Sequence, residues 1–189
     1  MDVSTLDEAR KRALLTKLLR EKAEKAGPRQ APLSHGQARL WFIDQMQAGN
    51  PVYTITAALR LTGDLNLDHL QQALNSIRAR HETLRSRFVE DDGVPQQVID
   101  PPTPLALEQM EGATEPLIRA FAARPFDLST GPLIRCALIR ENPDTHVLAL
   151  SAHHIITDYQ SLQVMIGEFA RLYTAPDATL PALPIQFAD

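Results

Sequence analysis

The chain has 189 residues, a formal net charge of −4 and a hydrophobic share of 44%. No apolar run approaches the roughly 20 residues that cross a bilayer, and the amino terminus is charged, unlike a signal peptide, so we expect a cytoplasmic protein without membrane contact. The slightly acidic balance and the 5% of aromatic residues argue against a nucleic-acid partner.

The first segment, residues 1–28, is predicted to be one helix followed by a stop signal. Thr5 and Glu8 match a capping box, and Gly27-Pro28 ends the helix. Every lysine of the chain lies in this segment, and its apolar stripe is too narrow to form a core of its own. Two interpretations remain open, a linker or docking helix that receives an upstream subunit and a helix that packs on its own domain.

The remaining residues, 29–189, alternate between strand and helix patterns, which is typical of the α/β class. We expect a mixed sheet covered by helices. The predicted elements are a strand over 52–61, a helix over 66–81 with Leu67, Leu70, Leu74 and Ile77 facing inward, a hairpin of 85–90 and 94–100, a helix over 114–123 and two paired strands that end at His154.

Cys136 is the single cysteine of the chain, so an internal disulfide is excluded. It lies in an apolar stretch that reads as a strand. A buried structural thiol is therefore the expected state, in preference to a nucleophile.

The strongest functional signal is the stretch AHHIITDYQS, residues 152–161. An apolar strand leads into His153 and His154, and an amphipathic helix is predicted to begin near Asp158. Adjacent side chains on a strand point to opposite faces, so the two histidines cannot have the same role. One of them would lie at a strand-to-helix junction facing a cleft, where a neutral imidazole can accept a proton from an amine or hydroxyl that attacks a carbonyl.

Spacing alone also fits simpler explanations for these residues, since two histidines and an aspartate are more often core, surface or capping residues than a catalytic set. A metal site is not indicated. Zinc needs three or four convergent ligands, whereas this stretch has no cysteine and offers at most two ligands on one face.

Two further stretches make the signal specific. Residues 34–43 read SHGQARLWFI, and residues 80–88 read RHETLRSRF. With the histidine stretch, and in the same order, they resemble the first three motifs of the condensation domains of nonribosomal peptide synthetases, and PFDLSTGPL at 125–133 is a weaker fourth similarity. The resemblance implies that residues 29–189 are the amino-terminal lobe of a two-lobed domain, inactive or nearly so without its second lobe, and that 1–28 are a linker or docking helix.

The resemblance implies a chloramphenicol-acetyltransferase-like fold and an acyltransferase of natural-product biosynthesis. Such a domain joins an acyl or peptidyl donor thioester to the amine of an aminoacyl acceptor. Both are carried on phosphopantetheine arms of donor and acceptor carrier proteins, which are the expected partners, and no cofactor or metal is bound directly. An upstream synthase subunit is a further possible partner, through residues 1–28.

The resemblance also assigns roles to residues. His154 is implied to be catalytic, because it would accept or steer the proton of the attacking amine. Asp158 is implied to hold the loop in shape by pairing with an arginine, preferably Arg80 and otherwise Arg85 or Arg39. The supporting residues are therefore His153, Asp158, Arg80 and Arg85.

The chain departs from the family pattern after Asp158. Tyr159 stands where the family has glycine, and a phenol there would narrow the channel or change donor preference, so Tyr159 and Ser161 are predicted to shape the channel. Two alternatives remain open. One is a non-catalytic platform that recruits carrier proteins or tailoring enzymes, and the other is an ester-forming or free-substrate acyltransferase of the same superfamily.

Overall fold

The computed structural model of the chain describes residues 27–189. The helix and docking role predicted for the preceding segment lie outside the described residues. Within the described range the strands and helices follow in this order: β1 (Arg29–Pro32), α1 (His35–Met46), β2 (Thr54–Thr62), α2 (Leu67–Arg80), β3 (Ser86–Asp91), β4 (Val94–Ile99), β5 (Leu107–Glu111), α3 (Thr114–Ala122), β6 (Ile134–Asn142), β7 (Thr145–His153) and α4 (Tyr159–Thr174).

The strands form two sheets. The larger has the order β2-β7-β6-β5, in which β7 is antiparallel to both neighbours and β5 is parallel to β6. The smaller is antiparallel with the order β1-β4-β3. The expected mixed sheet is confirmed, and β7 lies at its centre, which explains why the strand is apolar on both faces.

Helices cover both faces of the larger sheet. On one face, α2 and α4 pack together over Leu148 and Leu150 of β7 through the buried side chains Leu70, Leu74, Ile77, Leu162, Met165 and Phe169. On the other face, Phe121 of α3 packs against Ala137 and Ala149. Ala149 lies between Leu148 and Leu150, which face the opposite way. The alternation of side chains along β7 therefore decides which residues pack against the helices on each face. The expectation that helices cover the sheet is confirmed.

The helical and hairpin patterns predicted most elements to within a few residues. Leu67 is a correction, because it lies in the first turn of α2 and is 44% exposed. The strands β1 and β5 were not predicted. The sequence of β5, LEQME, has no β-branched residue, so pairing with β6 decides its conformation.

Cys136 lies in β6 and is fully buried. Burial raises the pKa of the thiol to about 12. The thiolate is therefore negligible at neutral pH, and the predicted structural role is confirmed. Within residues 27–189, every helix is too short or too polar to cross a membrane.

Candidate active site

The histidine pair ends the central strand β7 and begins the turn into α4. The N–H of His153 donates to the carbonyl of Leu133 at 3.0 Å, and the N–H of His154 donates to the carbonyl of Tyr53 at 2.7 Å. The chain is thus held from both sides at this point. The side chains lie in different environments, as predicted: His153 is 3% exposed and His154 is exposed to solvent.

The ring of His154 is oriented by its own turn. Its Nδ1 lies 2.8 Å from the carbonyl oxygen of Thr157. A carbonyl oxygen only accepts hydrogen bonds, so Nδ1 carries the hydrogen, and the neutral ring has its lone pair on Nε2. An imidazole in this tautomer can accept a proton at Nε2 without changing its contact with the turn.

The ring of His153, in contrast, is buried and packed within the fold. Its Nδ1 accepts the N–H of Ile155 at 3.1 Å, and the ring lies 6.5 Å from the Tyr53 ring and 6.4 Å from the Phe126 ring, between centroids. Burial, with a smaller effect of His154, lowers the pKa of His153 to about 4. A ring that stays neutral at physiological pH fits the supporting role predicted for this residue.

Asp158 is the N-cap of α4. Its carboxylate accepts the N–H of Ser161 at 2.7 Å, and this hydrogen bond lowers the pKa of Asp158. The expectation that Asp158 pairs with an arginine is wrong for Arg80, whose Nε donates to Glu168 at 3.0 Å, and for Arg85, which contacts Glu82 at 3.3 Å. The carboxylate binds the helix end because backbone N–H groups there lack other partners.

Replacing Asp158 with alanine is expected to lower the free energy of unfolding by about 1 kcal/mol, the usual cost of losing an N-cap. Asp158→Asn should retain most of the stability, because asparagine caps as well as aspartate, whereas an ion pair would be lost in both variants. Urea unfolding of the 189-residue chain measures both. Asn66→Ala, which removes the N-cap of α2 far from the histidines, is the matched control.

The first motif reaches the histidine loop through a buried glutamine. Ser34 and Gln37 form the capping box of α1, and Gln37 is 4% exposed. Its Nε2 approaches the carbonyl of Ile155 at 3.5 Å and Oε1 of Gln97 at 3.4 Å, while Gln97 donates to Ser86 at 2.8 Å. These polar groups connect the loop to α1 and to the smaller sheet. Neither glutamine was predicted from the sequence, and only the place of Gln37 within its motif could have indicated it.

The second motif is bound by the end of the chain. The Nε2 of Gln186 donates to the carbonyl of Arg80 at 3.0 Å, and its Oε1 accepts the N–H of Glu82 at 3.1 Å. Arg29 forms ion pairs with Glu82 and Asp189. The terminal segment therefore lies against the second motif.

A cleft of about 780 Å³ lies beside His154. All three motifs, α4 and the terminal segment contribute to its wall, which includes Gln37, Arg39, Leu40, Tyr53, His81, His154, Asp158, Ser161, Met165, Ile185 and Phe187. Ser161 is part of this wall, while its effect on the channel stays a prediction. Tyr159 is 71% exposed and is absent from the wall formed by the described residues, so its effect on the channel stays a prediction.

Within the described range, His, Cys, Asp and Glu form no group of three or more that could hold a metal ion. Two imidazoles, those of His81 and His154, line the cleft, and Nε2 of His154 can accept a proton there. The cleft wall also has hydrogen-bond donors such as Gln37 and apolar side chains such as Leu40.

Comparison with known proteins defines the class. Residues 28–189 match the family model "Condensation domain". The chain is 41% identical over 172 residues to the phosphinothricin tripeptide synthetase PhsC of Streptomyces viridochromogenes, an alignment that covers 84% of this chain and 16% of that protein. The chain therefore belongs to the condensation-domain family of nonribosomal peptide synthetases, and it spans about a sixth of this relative.

Solved structures agree with this membership. The X-domain in complex with OxyB from teicoplanin biosynthesis superposes with a TM-score of 0.77 at 30% identity, over 84% of this chain and 36% of that one. The first condensation domain of the calcium-dependent antibiotic synthetase, solved with a substrate analogue, gives a TM-score of 0.73 at 25% identity, over 82% and 40% of the two chains. The expected chloramphenicol-acetyltransferase-like fold is confirmed.

Proposed function

We propose that this chain supplies the histidine-bearing lobe of a domain that forms an amide bond between two carrier-bound thioesters. The observation that supports this most is the geometry of His154. Its Nδ1–H donates to the carbonyl of Thr157, which leaves Nε2 as the acceptor nitrogen of the ring. His154 is also part of the cleft wall. Family membership supplies the reaction class, and the tautomer supplies a proton acceptor suited to it.

In the proposed reaction, the acceptor amine attacks the carbonyl carbon of the donor thioester. A C–N bond forms, and the proton of the amine passes to Nε2 of His154. The C–S bond then breaks, and the proton leaves with the departing thiol. The peptide remains on the acceptor carrier, and the donor phosphopantetheine arm ends as a free thiol. Holding the amine and thioester together in the cleft lowers the barrier further, because two oriented, bound groups react without the entropy cost of meeting in solution.

The partners in this proposal are the donor and acceptor carrier proteins. Their phosphopantetheine arms bring the substrates, so no cofactor has to reside in the cleft. The mixture of apolar residues such as Leu40 and Ile185 with polar groups such as Gln37 and Ser161 suits an arm that has both methylene and amide groups.

The reaction is tested in the full-length protein that contains this chain, with carriers loaded with donor and acceptor thioesters, by intact-protein mass spectrometry. We expect the acceptor carrier to gain the donor mass only when both carriers are loaded. Product from a free amine or alcohol in place of the loaded acceptor would instead support the free-substrate or ester-forming alternative. Carriers without the phosphopantetheine arm are the control.

A recruitment platform is the second candidate. The X-domain that this chain resembles was solved in complex with OxyB, and Tyr159 departs from the glycine of the family motif. If wild-type protein binds loaded carriers but transfers nothing between them, the platform replaces condensation as the proposed function.

A further inference from the structure

Glu168 of α4 contacts two consecutive residues of the second motif. Its Oε1 accepts from Nε of Arg80 at 3.0 Å, and its Oε2 lies 2.6 Å from Nε2 of His81. The three side chains are largely buried, with 15 to 17% of each exposed. The carboxylate is thus shared between a permanent cation and an imidazole.

The contact determines which ring nitrogen of His81 carries the hydrogen. An ionised carboxylate only accepts, so Nε2 of His81 donates to Glu168, and Nδ1 of the neutral ring has a free lone pair. Among residues 27–189, the one hydrogen bond of the His81 ring is that between Nε2 and Glu168. His81 lines the same cleft as His154. The arrangement is that of an imidazole oriented from behind by an acid.

The position of Glu168 follows from the geometry of α4. Ser161 and Met165 line the cleft, and Glu168 lies one helical turn beyond Met165 on the same side. There it meets the carboxyl end of α2, where Arg80 is the last helical residue. The bond from Arg80 engages Oε1 of the carboxylate, and its second oxygen, Oε2, faces His81.

We propose that Glu168 is a positioning residue that holds His81 in the Nε2–H tautomer, so that Nδ1 accepts a hydrogen bond from an N–H group of a carrier-bound substrate. The amide groups of a phosphopantetheine arm and the acceptor amine are the donors of this kind. The inference rests on the proposed function for the identity of the ligand. It does not depend on His154 being catalytic.

The tautomer is measured first, by ¹⁵N NMR of the histidine rings in the 189-residue chain, with His81→Gln for assignment. Wild type should show Nε2–H at His81. Glu168→Gln should shift His81 toward Nδ1–H, because an amide has one acceptor oxygen for two donors and its own NH₂ can face the ring. Glu168→Asp keeps a carboxylate and should retain the wild-type tautomer. Glu115→Gln, which breaks the exposed pair with Arg119 on α3, should change nothing.

Binding is measured next, as the dissociation constant of the full-length protein for an aminoacyl-loaded carrier. We expect Glu168→Gln and His81→Gln each to weaken binding by about 10-fold, and the double variant to be no weaker than either, since the two residues act as one unit. An unchanged tautomer, or affinities within twofold of Glu115→Gln, overturns the inference. If wild type binds the carrier but makes no product, the proposed function fails, and the same affinities still decide the role of Glu168.

Discussion

Replacing His154 with alanine is expected to lower the rate of condensation by about 100- to 10,000-fold, the usual contribution of a positioned general base. The fold should persist, because the side chain is exposed and makes its one hydrogen bond, among the described residues, to the nearby carbonyl of Thr157. The loss should appear in the turnover of bound substrates, measured by intact-protein mass spectrometry under single-turnover conditions. Affinity for the carriers should change little.

A matched control separates chemistry from folding. His35→Ala removes another exposed histidine, at the start of α1, and should leave the rate within twofold of wild type. A His154→Ala protein that keeps more than a tenth of the wild-type rate would contradict general-base catalysis. The cleft would then act by positioning the two substrates alone.

The chain is expected to lose stability between about pH 6.5 and pH 4 because of His153. In the unfolded chain this imidazole has a pKa of about 6.5, whereas burial lowers it to about 4 in the folded chain. Between these values the unfolded state binds a proton that the folded state excludes, so the free energy of unfolding falls as the pH falls. The full effect is up to about 3 kcal/mol.

Urea unfolding at pH 7.5 and pH 5 measures this slope. His153→Gln removes the titrating group and should flatten the pH dependence over this window, at the cost of a lower stability at pH 7.5 because the ring fills a buried site between Tyr53 and Phe126. His35→Gln should keep the wild-type slope. Equal slopes in all three proteins would show that His153 titrates normally, and therefore that its ring is hydrated in the folded chain.

The local hydrophobic pattern of the sequence was sufficient to predict the strand and the helix on either side of the histidine pair. The apolar run before His153 predicted β7, and the helical spacing of Leu162, Met165 and Phe169 predicted α4. The N-cap at Asp158 could also be predicted from the sequence. An aspartate directly before a helix usually accepts a backbone N–H of the first turn, here that of Ser161. The resemblance led instead to an arginine partner, and the structure corrects it in favour of the local contact.

Contacts between distant residues were not predictable in the same way. Arg80 and Glu168 are 88 positions apart, and they meet because α2 and α4 pack side by side. Gln37 and Gln97 approach each other only where α1 meets the smaller sheet. No periodicity relates such pairs, because their distance depends on how whole elements pack.

The amino-acid sequence by itself determined the α/β class, the buried state of Cys136, the course of β7 and α4, and membership of the condensation-domain family through three ordered motifs. These follow from hydrophobic period, capping residues and short motifs, which act within a few residues of one another. The tertiary structure alone decided the tautomer of His154, the partner of Arg80 and the pairing that makes β5 a strand. Those depend on backbone carbonyls, carboxylates and neighbouring strands that only packing brings within hydrogen-bonding distance.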